Sequence, residues 1–184
     1  MATLFEALND ELREFIGAQH MFFIATAPLS ADGFVNCSPK GLDTLRILDN
    51  TTLAYLDLTG SGVETIAHLK ENGRFVMMFC SFTNKPRILR LHGRGEVFET
   101  HERGFDELNA LFPEIRGSRA IIKLNVTRVA DSCGWGVPMY DFVRDRDTYM
   151  KYTDSISDDH LRESQRTGNS ISLDGLPALS KPSL

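Results

Sequence analysis

The chain has 184 residues, 42% of them hydrophobic and 24% charged, with a formal net charge of -5 at pH 7; this suffices for one soluble domain with a sizeable core, and a second domain is not expected. An acidic balance argues against nucleic acid or an anionic membrane surface as partner, since proteins of those classes are usually basic. Apolar runs such as Phe75–Cys80 fall far short of the roughly 20 residues of a membrane helix, and the acidic N-terminus has no signal-peptide pattern, so a cytoplasmic protein is expected.

Thr3-Leu4-Phe5-Glu6 reads as a capping box, after which Leu4, Leu8, Leu12, Phe15 and Ile16 recur at helical spacing up to Gly17, predicting an amphipathic lid helix. Met21–Ala27 reads as a strand, turned by Ala31-Asp32-Gly33 into Phe34–Cys37. Ser38-Pro39-Lys40-Gly41 follows. Asn36, Ser38 and Lys40 share one side if this segment is extended, although Pro39 favours a strand edge or end. Lys40 is long enough to reach a phosphate or a ring carbonyl, and serves equally as an exposed loop lysine. A further strand is expected over Thr44–Leu48, with a tight turn at Asp49-Asn50.

The stretch 53–97 is the most legible. Leu53–Asp57 is a short apolar strand, and it runs into Thr59-Gly60-Ser61-Gly62 just before helical periodicity over Glu64–Glu71. Unpaired amides and the positive dipole end at such a helix start favour an anion, most often a phosphate, while the same loop in isolation is more often an ordinary capped turn. Asn72-Gly73 ends the helix; Arg74–Cys80 is a second strand, and Thr83–Pro86 turns it into the strand Arg87–Val97. Alternation puts Arg90 and His92 on one face of that strand, Leu89 and Leu91 on the other.

Later in the chain, Glu102–Leu111 reads as a helix with Phe105, Leu108 and Leu111 inward, and Ala120–Val129 as an alternating strand with Ile122, Leu124 and Val126 on one side. Trp135, the only tryptophan, lies between glycines and either caps the core or serves a ligand; Arg144–Asp147 reads as a solvated, salt-bridged run. Residues 1–152 are taken as the domain. Thr153–Leu184 is polar, a C-terminal extension whose Ile171, Leu173, Leu176 and Leu179 suggest docking. Cys37, Cys80 and Cys133 are three in number and widely spaced, and are read as buried free thiols; the five histidines have no metal-ligand spacing, so no metal site is expected.

In order and spacing (strand, hydroxyl loop, helix ending at Asn-Gly, strand, then Arg87-x-x-Arg90-x-x-Gly93) the segment Phe22–Val129 resembles the pyridoxamine 5′-phosphate oxidase-related, FMN-binding split-barrel family. The resemblance implies a mainly β (α+β) fold, a six-stranded antiparallel split β-barrel with peripheral helices, and a homodimer binding FMN between subunits. It also implies that Asn36, Ser38, Lys40, Thr59, Ser61, Arg87, Arg90 and Trp135 bind the cofactor, the late segment around Trp135 and Tyr140 approaching the flavin of the other subunit. The oxidase itself has Ser-Arg-Lys after its loop hydroxyls and Gln after the first arginine, whereas this chain has Ser61-Gly62-Val63 and Ile88, which speaks against pyridoxamine-phosphate oxidation. The expected activity is oxidoreduction of a small-molecule substrate with NAD(P)H as reductant, because the flavin supplies the redox chemistry and no hydrolytic apparatus is visible. A flavin-binding or sensing protein without turnover is the alternative, and a different phosphate or tetrapyrrole ligand a weaker one.

Overall fold

Alternation of apolar and polar residues gives one antiparallel sheet two unequal faces. In the computed structural model, which describes residues 3–183, the strands are β1 (Thr3–Phe5), β2 (Phe22–Thr26), β3 (Asn36–Lys40), β4 (Leu45–Ile47), β5 (Thr52–Leu58), β6 (Arg74–Cys80), β7 (Ile88–Glu99) and β8 (Ser118–Ser132). Met1, Ala2 and Leu184, the outer ends of the expected domain and extension, lie outside the described residues. The strand order is β3-β2-β6-β7-β8-β5-β4, with β1 added to the far end of β8. The sheet curls so that Ile24, Tyr55, Met77, Leu89, Leu91 and Ile122, from five different strands and each at 0% exposure, meet in one core. This is the mainly β split barrel that the resemblance implies; the three-residue strands β1 and β4 bring the strands among the described residues to eight rather than six. A small second core lies on the other face, where Phe105 and Phe112 cover Ala54, Leu56 and Ile121.

Five helices surround the sheet: α1 (Asp10–Gly17), α2 (Glu64–Asn72), α3 (Phe105–Asn109), α4 (Thr148–Ser155) and α5 (Asp158–Gly168). The first helix starts later than the capping-box pattern predicts. Asn9 caps it by accepting from the Leu12 amide at 2.9 Å, while Thr3–Phe5 pair with Val129–Asp131 of β8, because a free sheet edge offers a full ladder of backbone bonds. Helix α2 ends as predicted, at Gly73 in the left-handed region (φ 69°). Its buried face, including Ile66 and Leu69, plugs the barrel, so Ile66→Ala would cost about 2–5 kcal/mol. Helix α3 is shorter than expected and leaves Leu111 46% exposed.

The C-terminal stretch differs most from its reading. Helices α4 and α5 occupy much of it, the 152/153 division falling inside α4. Ala178 and Leu179 enter the main core and Leu176 packs against it, but Ile171 and Leu173 stay exposed. Of the cysteines only Cys80 is buried: Cys37 points outward from an edge strand and Cys133 follows the end of β8. The run Arg144–Asp147 is exposed, but its one ion pair among the described residues is Asp147 with Lys151.

Candidate functional site

β3 is an edge strand, so Pro39 costs it no ladder bond, and the chain stays extended to Lys40. Its register with β2 (Phe22 opposite Lys40, Ile24 opposite Ser38, Thr26 opposite Asn36) turns Asn36, Ser38 and Lys40 to the inner face, as the spacing predicts. Asn36 donates to Thr26 Oγ1 (3.2 Å) and to Thr65 Oγ1 (2.9 Å), which ties the edge strand to the first turn of α2. Lys40 Nζ donates to Asp57 Oδ1 at 2.7 Å.

Asp57 ends the apolar run of β5 with its side chain fully buried, and Arg119, at the start of β8, donates to its other oxygen at 2.8 Å. Burial alone raises a carboxyl pKa; Arg119 and then Lys40 outweigh it and hold Asp57 at about 2. The second Arg119 arm donates to the Gly62 carbonyl at 2.9 Å, and its remaining nitrogen, Nη1, is buried without a partner among the described residues. Two cations against one anion leave this cluster with a net positive charge. Burial also raises the Tyr55 hydroxyl well above its usual pKa, keeping it neutral.

The Thr59–Gly62 loop lies directly over Arg119. Thr59 spends its hydroxyl proton on the Gly117 carbonyl (2.7 Å) and accepts from Gln165 Nε2 (2.8 Å), while Ser61 is exposed. The α2 cap residue is Val63, whose side chain accepts no hydrogen bond, so the first-turn amides remain open to an outside acceptor. The Glu64 carboxylate reaches back to within 2.5 Å of where a Cβ on Gly62 would lie and accepts from the Leu173 amide at 3.4 Å, so it places an anion beside this helix end.

From Lys40 a groove of about 1270 Å³ runs between the β2–β3 edge and the segment that follows β8. Phe23 and Pro39 lie on the barrel side; Tyr140, Phe142, Tyr149 and Tyr152 lie on the other. Phe142 stacks on His20 with centroids 3.6 Å apart and planes 8° apart. The Tyr149 hydroxyl donates to the Gly117 carbonyl at 3.1 Å, so the groove abuts the loop that Thr59 anchors; burial raises that hydroxyl's pKa to about 12.

The other expected residues lie elsewhere. Asp57 pairs with Ala120 and Arg90 with Ala130, ten residues further along β8, a strand path of roughly 33 Å. Within one chain Arg87, just before β7, and Arg90, in it, therefore do not meet the hydroxyl loop. Arg87 makes a two-point contact with Asp131 (3.0 and 2.7 Å), binds Glu11 and covers the Phe15 ring. Arg90 binds Ser132 Oγ at 3.1 Å and shares the outer sheet face with its cross-strand neighbour Met78 and with Phe23, which pairs with Met78 on the next strand. Trp135 is 84% exposed. Asp57, Arg119, Gln165 and Asn169 escape the sequence reading. An Asp closing an apolar strand, between Leu56 and Leu58, was the one visible signal, because a carboxylate there requires buried cations.

No group of three or more His, Cys, Asp or Glu among the described residues is arranged to hold a metal ion, and no helix among them is long and apolar enough to cross a membrane. Residues 8–133 match the family model described as pyridoxamine 5′-phosphate oxidase. The pyridoxamine 5′-phosphate oxidase family protein ustO of Aspergillus flavus is 39% identical over 199 residues, spanning 97% of this chain and 78% of that protein. Two solved structures share the fold at lower identity. HupZ of Group A Streptococcus has a TM-score of 0.53 at 21% identity, over 66% of this chain and 91% of that one. A Clostridium acetobutylicum protein, described as related to general stress protein 26 of B. subtilis (pyridoxinephosphate oxidase family), has a TM-score of 0.50 at 17% identity, over 67% and 86%. With a family model covering most of the barrel and a relative aligned along nearly the whole length, the chain belongs to the pyridoxamine 5′-phosphate oxidase family.

Proposed function

We propose that the protein binds FMN where the Thr59–Gly62 loop, Lys40 and the aromatic groove meet, and that it is an oxidoreductase acting on a small molecule with NAD(P)H as reductant. The buried Lys40–Asp57–Arg119 cluster carries this reading. It puts net positive charge beneath an uncapped helix start, with one guanidinium nitrogen still lacking an acceptor. That donor set fits a phosphate, which gains from cations, amides and hydroxyls together. Ser61, Lys40 and the first-turn amides of α2 would hold the phosphate; Thr59 would anchor the loop; Asn36 and Ser38 would support Lys40 from the inner face of β3, Asn36 through Thr26 and Thr65, while Phe23 and Pro39 would face the ring system. At about 1270 Å³ the groove exceeds the roughly 300–1,000 Å³ of ordinary small-molecule pockets, which leaves room for a substrate beside a cofactor. When bound, FMN supplies the two-electron redox chemistry; the chain's own residues bind, orient and shield.

Arg90 and Trp135 belong to the site in this reading as contributions of a second copy. The half-buried outer-face residues Phe23, Val76, Met78 and Arg90, with Trp135, Met139 and Val143 at 69% exposure or more, form an apolar surface of the kind a homodimer covers. Arg87, engaged by Asp131 and Glu11, serves structure. Titrating apo protein with FMN and with riboflavin tests the proposal: FMN binds at least tenfold tighter, whereas equal affinities would remove the phosphate from the account.

A further inference from the structure

The family model ends at Cys133, yet two side chains well beyond it grip the loop to which the phosphate is assigned. Gln165 and Asn169 lie one turn apart at the end of α5, each 1% exposed. Gln165 Nε2 donates to Thr59 Oγ1 at 2.8 Å, and Asn169 Nδ2 donates to the Gly60 carbonyl at 2.9 Å. They address the two residues immediately before Ser61.

We propose that Gln165 and Asn169 are positioning residues for the phosphate loop, so that the C-terminal extension is part of the binding site. This rests on the FMN reading above. The Thr59 hydroxyl donates to the Gly117 carbonyl and accepts from Gln165, and these two bonds hold the loop with Ser61 exposed. The last segment of the chain holds both residues in turn: Ser183 N donates to the Gln165 carboxamide at Oε1 (2.6 Å), and Leu179 N donates to the backbone carbonyl of Asn169 (3.0 Å), while Asn169 Oδ1 is buried without a partner among the described residues. Leu179 is in turn anchored in the core. A buried polar side chain keeps its geometry because leaving its partner unsatisfied is costly, so these two fix the loop more firmly than solvent-facing groups would. Helix α4, which leads into α5, supplies Tyr149 and Tyr152 to the groove, so two successive helices beyond the family model shape the ring end and the phosphate end of the site.

The test is the ratio of FMN to riboflavin affinity, measured by flavin fluorescence quenching on the full chain. A residue that only stabilises the fold lowers both affinities together and leaves the ratio alone; a residue that aims the phosphate loop lowers the ratio. Asn169→Ala and Gln165→Met are expected to lower it about three- to tenfold, the range of one lost neutral hydrogen bond, and Asn169→Ser to recover part of the loss. Ser180→Ala, which loosens the extension at Glu99 and away from the loop, is expected to lower the melting temperature with the ratio unchanged. If Asn169→Ala does not fold, Asn169→Ser and Gln165→Met carry the measurement. An unchanged ratio in the Gln165 and Asn169 variants, or an equal fall in Ser180→Ala, overturns the inference while the cofactor reading stands. A wild-type ratio of one overturns both.

Discussion

Lys40 Nζ and Asp57 Oδ1 meet at 2.7 Å across the split of the barrel, joining edge strand β3 to β5, which share no backbone ladder. The fully buried carboxylate is held on its other side by Arg119, so one side chain decides both the closure of the split and the charge beneath the phosphate loop.

Asp57 makes stability depend on acid. Its folded pKa of about 2 lies below the unfolded carboxyl value near 3.9, so its contribution is complete above about pH 4 and is lost as pH falls towards 2. The shift corresponds to about 2–3 kcal/mol. In urea unfolding at stepped pH, the wild type should lose roughly this amount over that window. Asp57→Asn, which strands Lys40 and Arg119 without their anion, should be less stable by about 3–5 kcal/mol at pH 7, with a shallower acid slope. Identical slopes in the two proteins would show that other carboxylates govern acid unfolding.

Lys40 and Arg87 should separate cleanly. Lys40→Met should weaken FMN binding ten- to a hundredfold, as expected for a charge-assisted bond of about 1.5–3 kcal/mol, with riboflavin affinity unchanged. Arg87→Ala should lower the melting temperature, because Asp131 and Glu11 lose their partner, without altering the FMN-to-riboflavin ratio. A ratio shifted by Arg87→Ala instead would return that arginine to the phosphate.

The Glu64 carboxylate at the start of α2 competes with any incoming anion. Glu64→Gln should therefore raise FMN affinity about two- to fivefold, the effect of removing one like charge from a helix N-terminus, and the gain should shrink with added salt. Weaker binding in this variant would mean that Glu64 serves the ligand.

The legible parts of the site are those set by local periodicity. Alternation was enough to put Asn36, Ser38 and Lys40 on one face and to set Arg90 and His92 against Leu89 and Leu91; Asn72-Gly73 was enough to end α2. What escaped depends on distant partners. Arg119 reads as an ordinary residue leading into a strand until β8 pairs with β5 and brings Asp57 to it, 62 positions away. Helix α5 buries only Leu161 and Gln165, too narrow an apolar stripe to stand out in a serine-rich stretch. The separation of Arg87 and Arg90 from the hydroxyl loop within one chain is set by the length of β8, which local periodicity does not reveal.

For turnover, the groove beside Lys40 must admit a second molecule. In anaerobic stopped-flow mixing, NADH or NADPH should bleach bound FMN faster than free FMN, and pyridoxamine 5′-phosphate should be oxidised slowly or not at all, since Gly62, Val63 and Ile88 replace the oxidase's polar side chains. No acceleration by either nicotinamide would favour flavin binding or sensing without turnover.

The central claim is that this chain holds a flavin nucleotide. The absorption spectrum of the purified protein, taken after incubation with FMN and desalting, tests it most directly. The account predicts retained flavin bands at one flavin per subunit, carried by a species of dimeric mass; a spectrum flat across those bands would contradict it.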